Sequence, residues 1–72
     1  MFTFKKNEKR TSLMYTNDYW LGSVESVGGG LFQVKSRDDA YTVVNSIEDG
    51  RQALLDWHSI GLAEKDVETI IE

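Results

Sequence analysis

The hydrophobic period of this chain changes once, at Asn45-Ser46, and that change limits what it can fold into. Up to Val44, apolar and polar residues alternate in short runs separated by turn formers, as expected of strands with one buried face. From Ile47 onward the apolar residues recur every three or four positions, the spacing of a helix with one buried side. Strands first and helices after predict an α+β domain over residues 1–72, with strands within 1–44 and helices over about 46–60 and 63–71. The expected architecture is a four- or five-stranded antiparallel meander followed by two short C-terminal helices packed on one face.

Within the first half, residues 2–5 alternate and suit a first strand, although the pattern leaves open whether residues 2–6 join the sheet. Asn7-Glu8-Lys9 supplies turn residues, and Thr11–Thr16 is rich in β-formers that can pair back on the first strand. Asn17-Asp18 punctuates the chain before Tyr19–Val27, the longest strand candidate. Gly22 inside it suggests a bulge or a close approach of backbones. Gly28-Gly29-Gly30 provides the positive φ angles of a tight reversal, so Leu31–Ser36 returns as a hairpin partner. Arg37-Asp38-Asp39 turns the chain again, and Ala40–Val44 closes the sheet.

Helix start signals follow at once. Asn45 and Ser46 are both good N-caps, and Glu48 and Asp49 bring negative charge to the first turn. Ile47, Ala53, Leu54, Trp57 and Ile60 form an apolar stripe, with Arg51, Gln52, Asp56 and Ser59 mostly outside it. Gly50 costs a helix about 1 kcal/mol relative to alanine unless close packing on the sheet explains it. Gly61 suits the left-handed residue that ends a helix. A second helix too short to stand alone would bury Val67, Ile70 and Ile71. The predicted core is Trp20, Val24, Phe32, Val34, Leu54, Trp57, Ile60, Val67 and Ile70.

Several classes of chemistry lack their residues. There is no cysteine, hence no disulfide framework or thiolate metal site, and His58 is the sole histidine. No metal or cofactor is expected. His58 beside Trp57 shows no Ser/His/Asp spacing, and its helical neighbour Asp56 points elsewhere. The glycine triplet is followed by a strand, whereas a phosphate loop leads into a helix and ends in Gly-Lys-Ser/Thr. The expectation is therefore no enzyme. Residues 1–6 lack the apolar core of a signal peptide, and no run approaches membrane-spanning length, which suggests a cytoplasmic protein without membrane contact.

Charge divides unevenly along the chain. The net charge is −4, yet residues 1–10 carry Lys5, Lys6, Lys9 and Arg10 against Glu8 alone. The acids crowd the second half, at Glu48, Asp49, Asp56, Glu64, Asp66, Glu68 and Glu72. An acidic body repels phosphate, so direct nucleic-acid binding is disfavoured except through the basic N-terminal arm. The same acids could face a basic protein and steer its approach.

Two sets of candidate binding residues emerge. Strand alternation places Tyr19, Leu21, Glu25, Val27, Leu31 and Gln33 on the sheet face away from the helices, and Tyr15 adds to an aromatic-rich surface. Asp38, Asp39, Glu48, Asp49 and Asp56 are the candidates for a phosphate-mimicking acidic surface. An apolar outer sheet face could equally be a homodimer seam.

The stretch from Asn45-Ser-Ile-Glu48 through Ile60-Gly-Leu62, a capped helix and a Gly-Leu joint, resembles small phage-encoded anti-CRISPR proteins that bind the type I-F surveillance complex. The overall layout of acidic sheet and C-terminal helices is similar as well, and also looks like small antitoxin and integrase-arm domains. The anti-CRISPR resemblance implies a non-catalytic inhibitor in the host cytoplasm that occupies the surface of a larger protein or ribonucleoprotein complex. The alternative is a small nucleic-acid-binding or regulatory domain that uses the basic N-terminal arm.

Overall fold

A computed structural model describes residues 1–15 and 18–72; Thr16 and Asn17, assigned above to a strand end and a turn, lie outside them. Five strands form an antiparallel meander: β1 (Phe2–Lys6), β2 (Arg10–Tyr15), β3 (Trp20–Gly28), β4 (Leu31–Ser36) and β5 (Tyr41–Val44). Residues 2–6 thus belong to the sheet. Helix α1 (Ile47–Trp57) then crosses one face, a 3-10 turn follows at Glu64–Asp66, and β6 (Thr69–Ile71) pairs in parallel with β1. The sheet order is β5-β4-β3-β2-β1-β6.

This corrects the expected architecture. The sheet has six strands and is mixed, and the C-terminal segment holds one α-helix where two were expected. The segment read as a second helix is the 3-10 turn and β6. Thr69-Ile70-Ile71 are β-branched residues that lose χ1 freedom in a helix but suit an extended edge. The neighbouring β1 backbone supplies the hydrogen bonds: Phe4 N–H donates to Glu68 C=O at 2.9 Å, and Glu72 N–H to Lys6 C=O at 2.8 Å.

Helix α1 begins where its caps predicted. Ser46 is extended and its Oγ accepts from Asp49 N–H at 3.1 Å, while Glu48 and Asp49 lie at the positive end of the helix dipole. The other end falls short of the expected residue 60. Ser59 takes the left-handed conformation (φ 56°), Ile60 N–H reaches back to Leu55 C=O, and the helix closes there without Gly61.

The core comprises Phe4, Leu13, Val24, Val34, Leu54, Leu55, Ile60 and Val67, with Phe32 packed against it. Phe4, Leu13 and Leu55 enter unforeseen, and Trp20, Trp57 and Ile70 leave. Leu55 and Trp57 flank Leu54 on opposite sides of the helix. The chain after the helix runs along the Leu55 side, held there by Arg51, and Trp57 stays 37% exposed. Ile70 sits at an edge position of β6 that alternation turns away from the helix.

Two glycines set how near the helix lies. A Cβ on Gly50 would stand 2.8 Å from Val24 Cγ1, and one on Gly22 would stand 2.5 Å from Leu54 Cδ2 and 2.6 Å from the Lys35 carbonyl oxygen. Close packing therefore accounts for the glycine inside α1. Gly22 serves both roles its position suggested, because the β2–β3 register shifts beside it: Leu13 pairs with Gly22, but Met14 pairs with Trp20. Leu21 is the extra residue, and it packs toward the core.

Candidate functional site

Helix α1 and the C-terminal segment cover one face of the sheet; among the described residues no element covers the other. The bulge at Leu21 decides what this open face carries. Counting without it, Trp20 falls in phase with Gly22 and Val24, under the helix. The extra residue reverses that phase, and Trp20 joins Ser23 and Glu25 on the open side.

Register then builds the surface in rows across the strands. Lys5, Ser12, Ser23, Lys35 and Tyr41 are successive partners from β1 to β5. Arg10, Glu25, Gln33 and Val43 form the next row on one side, and Met14 and Trp20 stand on the other. Ser12 and Ser23 are the short residues of the middle row, and a depression opens over Ser23, with Trp20 on one side and Glu25 and Gln33 on the other. Arg10, Trp20, Ser23, Glu25, Gln33 and Lys35 line an open depression of about 230 Å³ there. The Tyr41 hydroxyl donates to Gln33 Oε1 at 3.4 Å, and the residue remains 56% exposed.

The cations of this face differ in availability. Lys5 is held by the Asp18 carboxylate. That hydrogen bond, opposed by partial desolvation and aided by the charges of Asp18 and Glu72, raises the Lys5 pKa above its ordinary value. Arg10 and Lys35 are exposed and border the depression.

Of the residues singled out from sequence, the structure brings Glu25 and Gln33 together as cross-strand partners in the depression. Arg10 of the basic stretch borders it as well, and the other aromatic and acidic candidates lie apart from it. Tyr15 pairs with Phe2 on the helix side, their rings edge to face with centroids 5.0 Å apart. Tyr19 lies under the Arg37 guanidinium, 4.3 Å from its ring centroid. Asp38 and Asp39 form the β4–β5 turn near the C-terminal end of α1, where Asp38 N–H donates to Ser36 Oγ and Ser36 contacts His58. Glu48 and Asp49 are at the opposite end of that helix, and Asp56 accepts from Gln52 Nε2 at 3.1 Å. These five acids form no single surface. Nor is the basic stretch a free arm: it is a β-hairpin that sends Lys5 and Arg10 to the open face and Lys6 to the other.

Trp20, Ser23, Lys35 and Tyr41 were missed, and Arg10 was foreseen only as part of a basic arm. The signal was present in Gly22: a strand interrupted by glycine invites a change of phase, and that change moves Trp20.

Ser36 and His58 form a second cluster, with Ser36 Oγ 3.1 Å from His58 Nε2. The same nitrogen is 3.1 Å from the Leu21 carbonyl oxygen, which can only accept. Nε2 therefore carries the proton and donates, and it cannot take one from the serine hydroxyl. The pair ties the helix end to β3 and β4. Among the described residues no three His, Asp or Glu side chains gather as a metal site, and no helix is long and apolar enough to cross a membrane.

Comparison with known proteins gives no matching family model, no match among curated sequences and no match among solved structures.

Proposed function

We propose that the protein is a non-catalytic binding module whose working surface is the uncovered face of its sheet. One observation carries this reading: a bulge turns a tryptophan out of the core and onto a depression bordered by Arg10 and Lys35. A large aromatic ring beside an arginine in a depression has the composition of a binding surface. The short Ser23 side chain makes room for a partner at low entropic cost, since few long side chains must be ordered there.

A second reading rests on the other side of the molecule. Glu48, Asp49, Asp56, Glu64, Asp66 and Glu68 all belong to the elements that cover the sheet, or to the residues next to them. An inhibitor of a nucleic-acid-binding complex, of the kind the anti-CRISPR resemblance implies, would use that acidic side against a basic protein.

Capture from a bacterial lysate separates the two, with and without nuclease. Trp20→Ala/Lys35→Glu alters the open face; Glu48→Gln/Asp49→Asn/Asp56→Asn neutralises acids on the helix. A captured component lost with the first variant and kept with the second supports the sheet face. The reverse pattern overturns it in favour of the acidic side.

A further inference from the structure

Resting on the sheet face as the working surface, we infer that its occupant is single-stranded nucleic acid, with bases on Trp20 and Tyr41 and phosphates at Arg10 and Lys35.

Charge complementarity is the first argument. The protein is acidic overall, yet its two exposed cations on this face border the same depression, while the acids of residues 48–68 lie on the covered side. The open face carries Lys5, Arg10 and Lys35 against Asp18 and Glu25, one net positive charge on a molecule of net charge −4, so a polyanion meets less repulsion there. The number of exposed cations is small, which makes the interaction short and modest in salt dependence. Two phosphate contacts give a log–log slope of roughly −1.4 for a single strand.

Stacking is the second. Trp20 on β3 and Tyr41 on β5 are separated laterally by two strand spacings, roughly 9–10 Å. Ser23 and Lys35 join the two in register, and the short Ser23 side chain opens onto the depression beside Trp20. Aromatic platforms flanked by cations bind single strands because every base has a π face to stack. A duplex keeps its bases stacked inside and can use only the cations, so the rings favour the single strand. Glu25 works against this occupant: its carboxylate sits in the depression between Arg10 and Gln33 and repels phosphate. That makes Glu25→Gln a variant that tightens binding.

The experiment is fluorescence anisotropy with end-labelled oligomers of about twelve nucleotides, within the range of known single-strand site sizes. Oligo-dT, oligo-rU and a duplex of equal length are titrated with wild-type protein at about 50 mM salt, where electrostatic binding is strongest. Trp20 emission is followed in parallel in Trp57→Phe, which leaves one tryptophan. The expected result is saturable binding of a single strand with quenching of Trp20, and weaker binding of the duplex. Lys35→Glu and Trp20→Ala, checked for folding by circular dichroism, weaken it at least about fivefold, the lower end of one lost base stack. Glu25→Gln tightens it. Preference for rU or dT identifies RNA or DNA as the strand. Equal duplex binding, no binding of either strand, or binding indifferent to Lys35→Glu overturns the inference. If these fail while lysate capture still depends on Trp20 and Lys35 after nuclease treatment, the occupant is a protein and the sheet-face reading stands. If face-dependent capture is also absent, both readings fall.

Discussion

Ser23 and Gly22 are neighbours on β3 and belong to different worlds. Gly22 points at the helix, where even a methyl group would meet Leu54 and the β4 backbone. Ser23 points at the open depression, lined by groups that are charged, aromatic or small. The covered face is fixed by volume and admits almost no change. The open face is fixed by nothing in the fold that demands Trp20, Arg10 and Lys35 together, and that freedom is the physical reason to look for a partner there.

The sharpest way to break this contrast is in the core. Leu54→Ala removes a fully buried side chain and should cost about 2–5 kcal/mol, read as a lower urea midpoint. Gly22→Val forces the helix or β4 to move and should cost about 1–3 kcal/mol. Ser23→Val, one position on, should change stability by less than about 0.5 kcal/mol. Equal losses at the two positions would mean that the open face is also packed. Next comes Arg51, whose guanidinium lies 4.3 Å from the Phe4 ring centroid, pairs with Glu64 at 3.2 Å and donates to Thr69 Oγ1 at 2.8 Å. Arg51→Leu should cost about 2 kcal/mol and loosen the C-terminal segment first, seen as faster amide exchange at β6 than at β3. At Thr11 the expected sign is reversed. Its side chain is fully buried, and its hydroxyl has no partner among the described residues. Thr11→Val should leave stability unchanged or raise it by about 1 kcal/mol in thermal melts. Ser46→Ala should cost about 1 kcal/mol through the lost N-cap, with no consequence for the open face.

Much of this fold was legible because its determinants are local. Glycine 28–30 adopts positive φ at all three positions and makes the predicted hairpin, and Ser46 caps the helix it was expected to cap. The failures have a common cause in non-local geometry. Whether Thr69-Ile70-Ile71 forms helix or strand depends on an unpaired β1 edge being within reach. Helical spacing put Trp57 in the apolar stripe and left Leu55 outside it, and the path of residues 61–68 reversed that assignment. The candidate site was half legible: Glu25 and Gln33 were placed correctly on the open face, whereas a single inserted residue hid Trp20. The aspartates and glutamates looked clustered because they are close in sequence, but a helix separates Glu48 and Asp49 from Asp38 and Asp39.

The pairing of β6 with β1 joins Phe4 to Thr69, nearly the whole length of the chain. Every other strand pair links sequence neighbours and can form as the chain leaves the ribosome, at little loop-closure cost. Until the last residues emerge, β1 is the outermost strand of a growing sheet, with its backbone donors and acceptors ready to accept any extended segment. The three residues of β6 are therefore guards as much as structure. Before β6 docks, the meander presents that edge to any extended partner.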